Sequence, residues 1–184
     1  MQLIQKELNS GEKLLWSGRP KQGIVFRAAD AFMIPFSLLW CGFAIFWEVS
    51  VAASGAPHFF LLFGGFFVLI GLYFVFGRFL WDSAQRKNTF YGITNERVII
   101  LSGLFHKQVK SLNIKTLSDI SVTEKANGQG TISLGPSSFM ESMYGGMAWP
   151  GVPQGAPKLE SIEDAKRVYN ILRDAQRGSR GQSE

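Results

Sequence analysis

The side chains that most often do chemistry are thinly spread in this chain. It has two histidines, His58 and His106, and one cysteine, Cys41. No Ser/His/Asp or Cys/His set can be assembled around them. No His-Glu-x-x-His or Walker spacing occurs either. A single cysteine within an apolar run forms no intramolecular disulfide and anchors no zinc cluster. The glycines of "GQGTISLG" have no lysine after them and sit between strand-like runs, so they read as a turn and not a phosphate loop. Asp119, Glu124 and Glu141 read as scattered surface acids. The pattern points away from an enzyme, and no cofactor, metal or small-molecule substrate is expected.

Two other sets could carry recognition. Arg86, Lys87, Lys107, Lys110 and Lys115 form a basic series expected on one half of a domain. Each basic group near an anionic lipid surface contributes ~1 kcal/mol. The second set lies in "GPSSFMESMYGGMAWPGVPQGAP", residues 135–157. Met140, Met143, Met147 and Trp149 interrupt its Gly, Pro and Ser residues, and adaptable Met side chains suit a protein-contact surface. A loop this long in a small domain is functional or disordered. Nucleic acid is not an expected partner, because no recognition helix is apparent.

The elements that must position these residues fall into two unlike halves. No charged residue occurs from Ala31 to Trp47, nor from His58 to Gly77. The run "FFLLFGGFFVLIGLYFVF" would measure ~27 Å as a helix, close to the ~30 Å hydrocarbon core of a bilayer. Transmembrane helices are expected at about 31–53 and 58–80, giving a hairpin domain at 31–81. The link Ser54–Pro57 is short and carries no Lys or Arg. Arg19, Lys21 and Arg27 precede the hairpin, and Arg78, Arg86 and Lys87 follow it. The positive-inside rule then places both termini in the cytoplasm. The first 30 residues lack a signal-peptide core and read as a cytoplasmic N-terminal segment. Glu48, the one acid within a span, reads as a carboxylate near the outer interface. Ser37, Cys41 and Ala44 share one face of the first helix, and Gly64 and Gly71 share one of the second. These faces could pack within the hairpin or between protomers.

From Asp82 onward the chain has 13 Lys/Arg and 10 Asp/Glu. Residues 89–94 and 97–102 read as a β-hairpin turned at Asn95–Glu96. "HKQVKSLNI", "LSDISVTEK" and "TISLG" read as further strands, the last two separated by a turn at 127–130. "SIEDAKRVYNILRDAQRG" reads as an amphipathic helix. Ser161 and Asp164 have capping-box spacing, Ile162, Ala165, Val168, Tyr169, Leu172 and Ala175 form its apolar stripe, and Gly178 stops it. Residues 82–177 would form the soluble domain and 178–184 a tail.

"GEKLLWSGRP" before the apolar hairpin, "GLYFVFGRF" leaving it, then "YGITNERVIIL", "GQGTISLG" and "SIEDAKRVYNIL" resemble the bacterial pleckstrin-homology-like (bPH) membrane proteins, a family also labelled as a domain of unknown function. The resemblance covers nearly the whole chain, and "YGITNERVII" is its most specific piece. It implies a membrane α plus soluble β fold: a two-helix transmembrane hairpin, then a seven-stranded antiparallel PH-like half-barrel capped by one C-terminal helix. It implies no catalytic residues. The expected function is a membrane-anchored binding or scaffold module at the cytoplasmic face of the bacterial inner membrane. It would recruit a protein partner or self-assemble. The alternative is an accessory subunit of a transport or pore complex.

Overall fold

The computed structural model describes residues 2–181, apart from 28, 105 and 137–155. Two long helices form the first body. Helix α2, Asp30–Ala53, contains Pro35 in its opening turns, where a missing N–H is tolerated. Helix α3 runs unbroken over His58–Lys87, with a π turn at Tyr73–Gly77. Both are long and apolar enough to cross a membrane, and only 17% and 11% of their most apolar windows are buried. The helices pack on their small residues. Ser37, Cys41 and Ala44 of α2 and Gly64 and Gly71 of α3 are buried in the seam. A Cβ on Gly71 would lie 3.0 Å from Cys41 Cα, so the close approach depends on glycine there. The small faces thus meet inside the hairpin.

The second body is a half-barrel of two antiparallel sheets. The first has the order β1-β2-β3-β4, with β1 at Leu14–Gly18, β2 at Phe90–Thr94, β3 at Arg97–Ser102 and β4 at Gln108–Asn113. The second has the order β5-β6-β7, with β5 at Ile120–Glu124, β6 at Gly130–Leu134 and β7 at Lys158–Ile162. The Lys21 N–H donates to the Ser161 carbonyl (2.8 Å) and ties the chain after β1 to β7. Helix α4, Ala165–Gly181, closes the barrel. Its Ala165, Val168 and Leu172 join Tyr91, Ile93, Val98, Ile100, Ile132 and Leu159 in one buried core. Gln176 reaches across from α4, and its side-chain amide donates to the carbonyls of Ile114 (3.2 Å) and Leu117 (2.7 Å).

The continuous apolar run of β3 has a plain cause: both of its faces are covered. Val98 and Ile100 point into the barrel. Ile99 and Leu101 point outward and pack under Ile4 of the short helix α1, Gln2–Gln5. On the neighbouring strand, a Cβ at Gly92 would come within 2.7 Å of Ile4 Cγ2, so glycine makes room for this cover.

Three boundaries differ from the sequence reading. Residues 1–30 do not stand apart from the soluble domain, because β1 pairs with β2, Trp16 lying opposite Ile93. The apolar hairpin is therefore the connection between two neighbouring strands of one sheet. Ser161 does not cap a helix. It lies within β7 and takes a left-handed backbone (φ 49°), as does Asp164, and α4 starts only at Ala165. Gly178 does not stop α4, which continues to Gly181.

Ile132 is fully buried between the sheets and α4. Truncation of Ile132 to Ala is expected to cost about 2–5 kcal/mol. The lipid-facing candidate Phe66→Ala should change little. Denaturation midpoints of the two variants in one detergent check both.

Candidate functional site

The two bodies meet at a cluster of three arginines and three carboxylates. Arg78, Asp82 and Arg86 stand at i, i+4 and i+8 on the part of α3 that outruns its apolar run. That spacing places them on one helical face. Arg27 comes from the chain that leads into α2, Asp30 opens α2, and Glu160 comes from β7. Arg27 is the hub. Its Nη2 lies 3.0 Å from Asp82 Oδ1 and 3.1 Å from Glu160 Oε2. Its backbone N–H donates to Asp30 Oδ2 (2.6 Å). Asp82 also holds Arg86 (2.8 Å), and Asp30 holds Arg78 Nη1 (2.7 Å). Arg86 Nη2 donates to the Gly23 carbonyl (2.6 Å), and the Glu160 N–H donates to the Tyr91 hydroxyl (3.1 Å).

Electrostatics fits the geometry. Burial opposes the Arg27 charge, but Glu160 and Asp82 outweigh it and push its pKa up. Burial drives the Tyr91 hydroxyl well above its usual value, so it stays a neutral partner for Glu160. Formal charges balance across the six groups, which suits a joint that leaves water. Such a joint is demanding: loss of one carboxylate strands a buried cation.

A second cluster secures the N-terminal segment. Glu12 accepts from Arg97 Nε (2.9 Å) and Nη2 (2.8 Å), and from the Thr94 hydroxyl (2.7 Å). The Arg97 hydrogen bond leads a set of interactions that hold Glu12 down at about 2, against a usual 4.5. Lys107 pairs with Glu7 of the same segment.

The sequence-predicted site residues end up in different surroundings. Arg86 is not a lipid-facing cation. Its side chain is 6% exposed and committed to Asp82 and Gly23. Lys87, its neighbour, is exposed. Lys107 is exposed but shared with Glu7, and Lys110 is exposed on the edge strand β4. Lys115 is exposed in the turn after β4. Met140, Met143, Met147 and Trp149 lie outside the described residues, as does Glu141. Asp119 and Glu124 are both exposed. Glu48 faces inward: one carboxylate oxygen is buried in the hairpin seam near Gly64, without a hydrogen-bond partner among the described residues. No group of three or more potential metal ligands occurs among the described residues. The Arg27, Asp82 and Glu160 joint was missed. Its one sequence signal was Arg78, Asp82 and Arg86 on a single face directly after an apolar span.

A four-stranded and a three-stranded antiparallel sheet, closed by a C-terminal helix, define a PH-like module. The chain belongs to the bacterial PH domain family, whose model matches residues 34–176. It is also 30% identical, over 94% of its length and 83% of the relative's, to a Rhodobacter capsulatus protein described as an uncharacterized 23.7 kDa protein in the puhA 5′ region. No solved structure matches the chain. Membership of this family fits a module without catalysis.

Asp82→Asn leaves Arg86 buried beside a neutral group and is expected to cost about 3 kcal/mol. Lys110→Ala should stay within about 0.5 kcal/mol of the parent protein. Urea titration in detergent compares the two. Glu12 has a depressed folded-state pKa, so its stabilisation is complete above pH 4.5 and fades as pH falls toward 2. Full loss amounts to about 3 kcal/mol, and Glu12→Gln should flatten the stability profile across that window.

Proposed function

We propose that this protein is a non-catalytic, membrane-anchored PH-like module on the cytoplasmic side of the bacterial cell membrane. There it recruits a protein partner or a second copy of itself. The observation that carries this reading is the placement of two uncovered apolar helices between paired strands. β1 and β2 flank the hairpin and bond to each other, so both open ends of the hairpin face one side. The basic flanks then select the cytoplasm, since the Ser54–Pro57 link has none. The low burial of both helices argues against the core of a soluble protein. The recruiting surface is assigned to Met140, Met143, Met147 and Trp149, on their composition. Exposed Lys87 and Lys110 remain for anionic lipid.

A photo-crosslinking probe at Trp149 in cells, read by mass spectrometry, tests recruitment. A distinct protein product supports it, and self-products alone shift the reading to a homo-oligomer. Absence of any protein product rejects Met140, Met143, Met147 and Trp149 as the contact surface. Separately, reporters fused at Gly55 and after Glu184 should give opposite topology signals.

One observation favours a second reading, an accessory subunit of a larger membrane complex. The buried Glu48 oxygen lacks a partner within the hairpin. A donor from another membrane chain would satisfy it. In that case Glu48→Leu, but not Glu48→Gln, should release the associated chain in a detergent pull-down.

A further inference from the structure

The chain between β1 and α2 forms an apolar strip that neither body covers. Ile24 is 58% exposed and Phe26 is 61% exposed. Val25 between them is half-buried, and Arg27 turns in to Asp82 and Glu160. The strip's height along α3 is fixed by three contacts. The Gln22 side-chain amide donates to the Arg86 carbonyl (3.3 Å), and Arg86 donates to the Gly23 carbonyl (2.6 Å). Phe26 meets the Phe79 ring edge-on at 5.7 Å. Ile24 therefore lies between the levels of Phe79 and Arg86, which are ~10 Å apart along the helix axis.

That interval is where a bilayer ends. The uncharged run of α3 ends at Gly77, but Arg78 is turned in to Asp30, and Leu80, itself 68% exposed, and Trp81 carry apolar surface one further turn. The helix from His58 to Trp81 would measure ~36 Å, so its last turn passes beyond a ~30 Å hydrocarbon core into the headgroup layer. The strip thus continues the apolar surface of the hairpin directly into that layer. Exposed Lys21 and Lys87 flank it, a charge pattern suited to anionic headgroups.

We infer that Ile24 and Phe26 insert into the headgroup layer of the inner leaflet, making the β1–α2 connection a second, shallow membrane contact. The occupant of this surface is the lipid layer itself, with Lys21 and Lys87 against anionic headgroups. The inference rests on the membrane-spanning reading of the hairpin. It adds that the half-barrel is held flush against the bilayer and does not hang from it on free linkers.

The test uses the full chain with Cys41→Ala, reconstituted in nanodiscs of phosphatidylcholine and phosphatidylglycerol. Single cysteines at Ile24, Phe66 and Leu15 carry an environment-sensitive fluorophore. Spin-labelled lipids quench from the membrane, and iodide quenches from water. Phe66 reports the span, and Leu15, exposed on β1, reports a watered surface. The expected result is lipid quenching at Phe66, iodide quenching at Leu15, and at Ile24 quenching by a headgroup-level spin label with at least threefold protection from iodide relative to Leu15. Strong iodide quenching at Ile24 with lipid quenching at Phe66 overturns the inference and leaves the span intact. Protection at Ile24 from both quenchers, with disulfide-linked dimers of the unlabelled Ile24→Cys protein, also overturns it and assigns the strip to a second copy. No lipid quenching at Phe66 rejects the span, and the inference with it.

Discussion

One guanidinium joins the two halves of this molecule. Arg27 meets a carboxylate from the helix that leaves the apolar hairpin and a carboxylate from the last strand of the half-barrel. In water, such pairs contribute little. Here their value is geometric. Asp82 is shared with Arg86, and Asp30 receives both the Arg27 backbone and Arg78, so a displacement of any one element leaves a buried charge without its counterpart. The covalent links between hairpin and sheet are only the chain after β1 and the residues between Lys87 and Phe90. The ion cluster turns those two strands of chain into a fixed joint.

The same joint changes the meaning of a basic flank. Arg86 sits where topology rules look for positive charge, and a sequence reading assigns it to lipid. Its burial shows that a charge beside an apolar helix can serve the protein's own architecture. Lys87, one residue on, faces outward and keeps the surface role. A single helical step of about 100° separates these fates, and no count of flanking charges can detect it.

The fold was legible where local pattern and tertiary environment agree. β2, β3 and the apolar hairpin announce themselves through long, uniform runs. The stripe of α4 is also visible, since Ala165, Val168 and Leu172 all enter the core. β1 and β7 were not legible. "LLWSG" is short and lies beyond the hairpin from its pairing partner. "KLESI" contains Ser161, whose spacing to Asp164 imitates a helix cap while its backbone is left-handed. The joint was hidden for a related reason: Arg27 and Glu160 are brought together by the closure of two sheets, and nothing local to either residue encodes the meeting.

The insertion of the hairpin between β1 and β2 also sets an order of assembly. Trp16 is synthesised early, yet its pairing position opposite Ile93 exists only after both apolar helices and the start of β2 have been made. Closing so long a loop is entropically slow unless something brings its ends together. The packed helices do that, because their seam returns the chain to the side from which it left. The first strand must therefore remain unpaired, with one edge open, until the hairpin is in place. The apolar helices act as a folding template for the sheet, and a chain whose hairpin fails to pack would present that edge to the quality-control machinery of the cell.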